Sequence, residues 1–383
     1  MIYKDFHGDK LSELALGCMR LPVLGGDDNK IDQAQVEEMV AVAIEGGVNY
    51  FDTAYGYHGG NSEAAIGRAL AAYPRESFYL ADKFPGYNPA NIRKDKLQPL
   101  FEEQLTRCRV DHFDFYLLHN VCEPNIDLYL DPAIGVLPFF KEQLAAGRIR
   151  HLGFSAHAGL EGLARFLEAF GPEMEFGQLQ LNYVDWDFQK GADKVRLFER
   201  YDIPLWVMEP LRGGQLASLE AADAAELEAL RPGVSAAEWA FRYAQSLPAV
   251  TTVLSGMSNL EQLKDNLRIF ASEAPVTAEE RATLQKIAQT MVAKTTIDCT
   301  ACRYCVDYCS EGLDIPRLLA LYNEQSFTTG VRFIAPMAIS ALPEDKRPSA
   351  CIACHNCEEV CPQQLPIAQA MADFSKMLEE SED

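Results

Sequence analysis

No stretch of this 383-residue chain stays apolar over the roughly 18 residues that suggest a membrane span. The opening MIYKDFHGDK also lacks the basic-then-apolar order of a secretion signal. The expectation is a cytoplasmic protein with no membrane partner. Basic residues are scarce: 34 Lys and Arg stand against 56 Asp and Glu, a formal net charge of −22. Such a surface repels phosphate backbones and excludes nucleic acid as a partner. What remains for the charge is solubility, or a docking face for a basic redox partner. Cysteine is almost missing from the first three quarters, where only Cys18, Cys108 and Cys122 occur, and eight of the eleven fall between Cys299 and Cys361. A secreted disulfide scaffold spreads its cysteines through a short chain, so metal is the better reading of that cluster. GxGxxG, the phosphate turn of a doubly wound sheet, occurs nowhere.

What is present is a repeated unit. Eight times an apolar, β-prone run is followed by a helix-period stretch. The strands expected are Leu14–Gly17, Val48–Asp52, Ser77–Lys83, Phe113–His119, Ile149–Ser155, Gly177–Asn182, Ile203–Glu209 and Ala249–Ser255. Helices are expected over Ser62–Leu70, Gln35–Glu45, Asp95–Arg109, Leu160–Phe170, Ser235–Leu247 and Leu260–Phe270, with another running from the 190s to Tyr201. Eight βα units argue for a closed parallel (β/α)8 TIM barrel, an α/β fold. Ile2–Ser12 reads as a hairpin across the barrel floor. Thr277–Lys294 reads as one more helix, capped by Thr277 with Glu279 and Glu280 in its first turn. Composition then changes, which places the boundary near Thr295, with a barrel over 1–295 and a second domain over 296–383.

Three of these strands end on ionisable residues, Asp52, Lys83 and His119, and Tyr57 follows Asp52 in the next loop. Strand ends of a βα barrel converge on one face. A phenol is a weak acid at neutral pH, and a nearby Lys83 ammonium, held by Asp52, is expected to lower its pKa. His119 could polarise a carbonyl by hydrogen bonding while Tyr57 gives the proton. Taken singly, each residue has a plain structural reading as a salt bridge or a strand-end histidine. Four of them at neighbouring positions favour chemistry.

With FDTAYGYHGGNSEAAIGRAL, YLADKF and FYLLHNV in this order, residues 1–275 resemble the aldo-keto reductase family. The resemblance implies reduction of aldehydes and ketones, or the reverse oxidation of alcohols, with NAD(P)(H), by Asp52, Tyr57, Lys83 and His119. It implies that Ser155 and Gln178 hold the nicotinamide carboxamide. It also implies that LRGGQLA, with Leu211 and Gly213, lies along the pyrophosphate, and that Ser255, Gly256, Ser258, Gln262 and Asn266 carry the adenosine end. The chain departs from the family pattern in five places, one being Ala156, where Asn usually follows the matched Ser155. Met208 stands where an aromatic residue commonly stacks on the nicotinamide, and Glu209 takes a usual Ser place. Gly256 and Gln262 fall where Lys and Arg often grip a 2′-phosphate, which leaves NADH and NADPH both open.

Cys299, Cys302, Cys305 and Cys309 form C-x2-C-x2-C-x3-C, and Cys351, Cys354, Cys357 and Cys361 repeat it with Pro362 after. At the same offset of 52, Leu313 matches Leu365 and Ile315 matches Ile367. This spacing points to two 4Fe-4S clusters in which the fourth cysteine of each run serves the other cluster. One set is then Cys299, Cys302, Cys305 and Cys361, and the other is Cys351, Cys354, Cys357 and Cys309. Zinc fits such tight runs poorly, because a single tetrahedral ion usually takes two separated pairs. The 41 residues between the runs, with helical stretches Pro316–Glu324 and Phe333–Leu342, resemble the helical ferredoxin modules of multi-subunit redox enzymes.

The functional expectation is an oxidoreductase that interconverts a small carbonyl compound and an alcohol with NAD(P)(H). Its clusters would serve electron transfer, with a ferredoxin or flavoprotein as electron partner. The alternative is an electron-transfer or redox-sensing iron–sulfur protein whose barrel binds nucleotide with little turnover.

Overall fold

The computed structural model describes residues 1–329 and 332–380. It divides into two compact units, Met1–Arg281 and Ala282–Asp383.

The first unit opens with the antiparallel hairpin β1 (Tyr3–Phe6) and β2 (Asp9–Ser12), turned by His7 and Gly8, both at positive φ. Eight parallel strands follow and close on themselves: β3 (Leu14–Gly17), β4 (Tyr50–Asp52), β5 (Tyr79–Phe84), β6 (Phe113–Val121), β7 (Ile149–Ala156), β8 (Phe176–Gln180), β9 (Leu205–Met208) and β10 (Val250–Ser255). Each expected strand is present, with ends shifted by a few residues, and β10 pairs with β3 to complete the ring. Helices between strands start where side chains cap them. Asp32 accepts from Gln35 N at 3.2 Å, Ser235 from Glu238 N at 3.1 Å and Asn259 from Gln262 N at 2.9 Å. At Ala278–Ala293 the cap is reciprocal: Thr277 Oγ1 accepts from Glu280 N, and Glu280 Oε2 accepts from Thr277 N.

Strand side chains alternate with period two, so the barrel interior can be read two residues at a time. An apolar layer of Tyr50, Ala81, Leu117, Phe176 and Trp206 fills the middle, with Phe6 and Leu11 of the hairpin packed into the same cluster from below. The Phe6 ring meets Trp206 at 5.0 Å, edge to face. Two residues further along those five strands stand Asp52, Lys83, His119, Gln178 and Met208. The packing that fills the barrel thereby sets five candidate site residues at one level, facing the C-terminal end where barrel loops gather.

In the second unit the helices Ile315–Phe327, Ile334–Ser340, Asn356–Glu359 and Ile367–Glu379 pack around Leu313, Ile315, Leu318, Ile339, Ile367, Met371 and Phe374. Its two halves repeat at the backbone. Left-handed residues recur at the offset of 52: Ala301 and Ala353 at φ 54° and 53°, Arg303 and His355 at 68° and 62°, Gly312 and Gln364 at 60° and 53°. No helix among the described residues is long and apolar enough to cross a membrane.

Candidate active site and cluster module

Asp52 ends β4, and its two carboxylate oxygens are taken by two different strands. Oδ1 accepts from Lys83 Nζ of β5 at 2.5 Å, and Oδ2 from Gln178 Nε2 of β8 at 2.7 Å. Lys83, 1 % exposed, also donates to Thr53 O at 2.7 Å and reaches the Tyr57 hydroxyl at 3.4 Å. Its ammonium lies 4.9 Å from the centre of the Tyr57 ring. The His119 ring meets Tyr57 at 6.0 Å and Tyr87 at 5.4 Å, both edge to face. His119 Nδ1 is enclosed without a hydrogen-bond partner, which leaves Nε2 as the nitrogen able to reach a ligand. The four strand-end and loop residues expected from the sequence therefore meet at one place.

The electrostatics differ from the sequence expectation in one respect. Burial pushes the Tyr57 phenol up, Lys83 pulls it down, and Asp52 and Glu209 add to the rise. Desolvation outweighs the single cation, so the net shift is upward and the phenol is held protonated. Burial opposes the charge on Lys83, but Asp52 and the Tyr57 oxygen together raise its pKa. Burial, then Lys83 and His157, hold His119 well below the ordinary imidazole range. The site thus presents a neutral phenol with a proton to give, a permanent cation beside its oxygen and a neutral imidazole donor.

Tyr57 owes its position to a residue that sequence reasoning passed over. His58 sits in the left-handed region at φ 53°, fully enclosed. Its Nε2 accepts from Leu21 N at 3.0 Å while Nδ1 lies 2.9 Å from both the carbonyl and a carboxylate oxygen of Asp28. That pattern sets the tautomer with the proton on Nδ1 and ties the Tyr57 loop to the loop after β3. The signal in the sequence is only a His beside the candidate acid.

The residues expected to hold a cofactor fall into two groups. Ser155 and Gln178 are directly opposite each other on β7 and β8. Ser155 Oγ accepts from Asn120 N at 2.8 Å, which leaves its hydroxyl proton for a ligand. Met208 ends β9, and the turn Arg212–Ala217 after Leu211 carries Gly213 and Gly214 at φ 68° and 98°. A buried hub missed in the sequence holds this turn. Asp185 accepts from Gln180, Asn182 and Arg212 at 2.8, 2.7 and 3.1 Å, and Asn182 also donates to Glu209 O at 3.0 Å. Beyond β10, Asn266 is turned inward and donates to Ser255 Oγ at 2.9 Å, and Gln262 Oε1 accepts from Ser258 N at 2.7 Å. Gly256 and Ser258 are exposed. Ser155 and Gln178 lie within β7 and β8, and the other eight stand at or beyond the C-terminal strand ends.

The eight clustered cysteines sort into two cavities. One, with about 270 Å³ of open space, is lined by Cys299, Cys302, Cys305 and Cys361 with Pro316, Leu319 and Leu365. The other, about 360 Å³, is lined by Cys309, Cys351, Cys354 and Cys357 with Leu313, Ile315 and Met371. Each cavity takes three thiols from one run and the fourth from the other, the division the spacing implied. Burial pushes the Cys305 and Cys357 thiols up to about 11, so loading a metal centre there releases protons. The left-handed residues 301, 303, 353 and 355, each next to a ligand cysteine, alternate in hand with their neighbours as in an anion-receptive backbone concavity. Thiol donors, apolar walls and such a backbone fit an anionic iron–sulfur group.

Comparison with known proteins agrees with both halves. The model of the Aldo/keto reductase family matches residues 13–289, and that of a 4Fe-4S dicluster domain matches residues 298–367. An uncharacterized oxidoreductase of Bacillus subtilis strain 168, YqkF, is 26% identical over 307 residues, covering 72% of this chain and 92% of its own. The holo form of the aldo-keto reductase AKR11C1 from Bacillus halodurans superposes with a TM-score of 0.60 at 25% identity, covering 75% of this chain and 96% of that one. An aldo-keto reductase from Klebsiella pneumoniae, solved in complex with NADPH, has the same fold at 19% identity and a TM-score of 0.59, covering 75% and 96%.

Proposed function

The chain belongs to the aldo/keto reductase family and carries a 4Fe-4S dicluster domain, and from that premise we propose that its barrel reduces a small aldehyde or ketone with NAD(P)H, or runs the reverse reaction. The observation that carries this reading is the Lys83 ammonium, bound to Asp52 at 2.5 Å and standing 3.4 Å from a protonated Tyr57. A binding module has no use for an acid assembled in this way.

A reduced nicotinamide, when bound, supplies the hydride to the carbonyl carbon. The chain supplies the rest. His119 Nε2 donates a hydrogen bond to the carbonyl oxygen and polarises it, and Tyr57 then passes its hydroxyl proton to that oxygen. Lys83 carries the phenolate charge as it develops, which offsets the burial that keeps the phenol neutral beforehand. Asp52 fixes Lys83, and Gln178 fixes Asp52 from the opposite wall. Ser155 and the free amide oxygen of Gln178 would orient the carboxamide, Met208 would lie by the ring, Leu211 and Gly213 would line the diphosphate, and Ser255, Gly256, Ser258, Gln262 and Asn266 would shape the adenosine end.

In the second domain, Cys299, Cys302, Cys305 and Cys361 hold one 4Fe-4S cluster, and Cys309, Cys351, Cys354 and Cys357 the other. Each cluster carries one electron at a time, whereas a nicotinamide gives up two together. A ferredoxin or flavoprotein is therefore the fitting electron partner, in the cytoplasm where such carriers and reduced cofactors are kept. Anaerobic addition of NADH or NADPH to the loaded protein tests the coupling. The expected result is an unchanged cluster absorbance with the cofactor alone, and cofactor oxidation only when an aldehyde is added. Bleaching of the clusters by cofactor alone would contradict this division of labour.

A further inference from the structure

Arg20 ends the short turn Cys18–Arg20 that follows β3, on the same end of the barrel as Asp52 and Lys83. It is half-buried, yet among the described residues its guanidinium makes no hydrogen bond and no ion pair. A half-buried cation with five idle donors costs solvation and returns nothing to the fold.

Two glycines show where the side chain lies. A β-carbon at Gly256 would sit 3.2 Å from Arg20 Cδ and 3.3 Å from its Cγ. A β-carbon at Gly213 would sit 3.3 Å from Arg20 Nη2 and 3.8 Å from Glu209 Oε2. The stem thus rests on Gly256 beyond β10, and the guanidinium reaches Gly213 beyond β9. It bridges the two loops expected to line a dinucleotide. Glu209 stands across Gly213 but makes no ion pair with it, so the cation is not neutralised. The loop after β3 and the turn carrying Gly213 are each fixed in place. Leu21, next to Arg20, is tied to His58, and the turn carrying Gly213 is tied to Asp185 through Arg212.

None of the ten residues proposed above for the cofactor is basic. A dinucleotide would then set its diphosphate charges against a wall without a cation. The arginine fork is suited to two adjacent phosphate oxygens. We propose that Arg20 is the diphosphate clamp of this site, a role that rests on the nicotinamide reading above and adds a residue to it. The reach of the guanidinium to Gly213, in the turn proposed to line the diphosphate, selects the diphosphate over a 2′-phosphate at the adenosine end.

Titration calorimetry under nitrogen, with the cluster-loaded protein and NADH or NADPH as the probe, tests the assignment. Arg20→Met keeps the stem on Gly256 and removes the charge. The Kd for both cofactors is expected to rise by roughly 10- to 100-fold, the usual loss for a charge-assisted contact. Arg20→Lys should recover part of the affinity, and the thermal midpoint should hold in both variants because no partner within the chain is lost. Unchanged Kd values in Arg20→Met would overturn the clamp while leaving nicotinamide binding intact. Loss of affinity for NADPH alone would move Arg20 to the 2′-phosphate and overturn it equally. A wild-type protein that binds neither cofactor would sink the parent reading, and the clamp with it.

Discussion

Tyr57→Phe should lower kcat for aldehyde reduction by roughly a hundred- to ten-thousand-fold, the range typical of a positioned general acid, and leave the Kd for NADH and NADPH nearly unchanged. The substitution is narrow. Phenylalanine keeps the ring against His119 and beneath the Lys83 ammonium. Lys83 keeps Asp52 and Thr53 as partners, so no buried charge is stranded. What disappears is one hydroxyl, which is the proton source, and the oxygen on which Lys83 stabilises charge. Steady-state rates at 340 nm, paired with calorimetric titration of the cofactor, separate the two effects. If the variant turned over at the wild-type rate, the role given to Tyr57 would be wrong. If cofactor affinity fell instead of kcat, the residue would be a binding group.

The second large effect concerns how the cysteines are shared. Two double variants separate a crossed ligand set from two self-contained runs. Cys299→Ala with Cys361→Ala removes two ligands from one cavity and none from the other. Cys299→Ala with Cys309→Ala removes one ligand from each. With crossed sets, the first variant should keep about half of the wild-type iron and sulfide as one intact cluster, and the second should perturb both clusters. Anaerobic iron and sulfide analysis with low-temperature electron paramagnetic resonance reads the difference. The reverse order, with the first variant losing both signals and the second keeping one, would assign each cluster to its own run.

How much of this was legible beforehand depended on how local the signal was. The apolar, β-prone runs placed Asp52, Lys83 and His119 at strand ends, and the structure sets each at its strand end or just before it, with Tyr50, Ala81 and Leu117, two residues earlier, as the apolar layer beneath them. The sorting of the cysteines into two cavities was readable because their spacing encodes a repeat that the backbone follows down to matched left-handed residues. The sign of the Tyr57 shift was not readable. It depends on how completely the ring is enclosed, and a sequence displays the nearby cation without the desolvation. His58 and Asp185 were missed for a related reason. Each acts through partners on other loops, Leu21 and Asp28 for one, Gln180, Asn182 and Arg212 for the other. Arg20 lay outside the expected site because it belongs to the loop after β3, while its side chain lies against Gly213 and Gly256, far later in the chain.

The proposed hydride transfer in the barrel is most directly tested by isotope. The protein, loaded with its clusters and kept anaerobic, is mixed with a benzaldehyde and nicotinamide cofactor deuterated at C4, and the alcohol is analysed by mass spectrometry and proton NMR. The proposed function predicts deuterium on the carbinol carbon from one face of the cofactor only, and formation of that product slowed by roughly a hundred-fold or more with Tyr57→Phe. Cofactor oxidation that yields alcohol without deuterium would mean that the electrons travel by another route, and would contradict the assignment of the barrel as a hydride-transfer site.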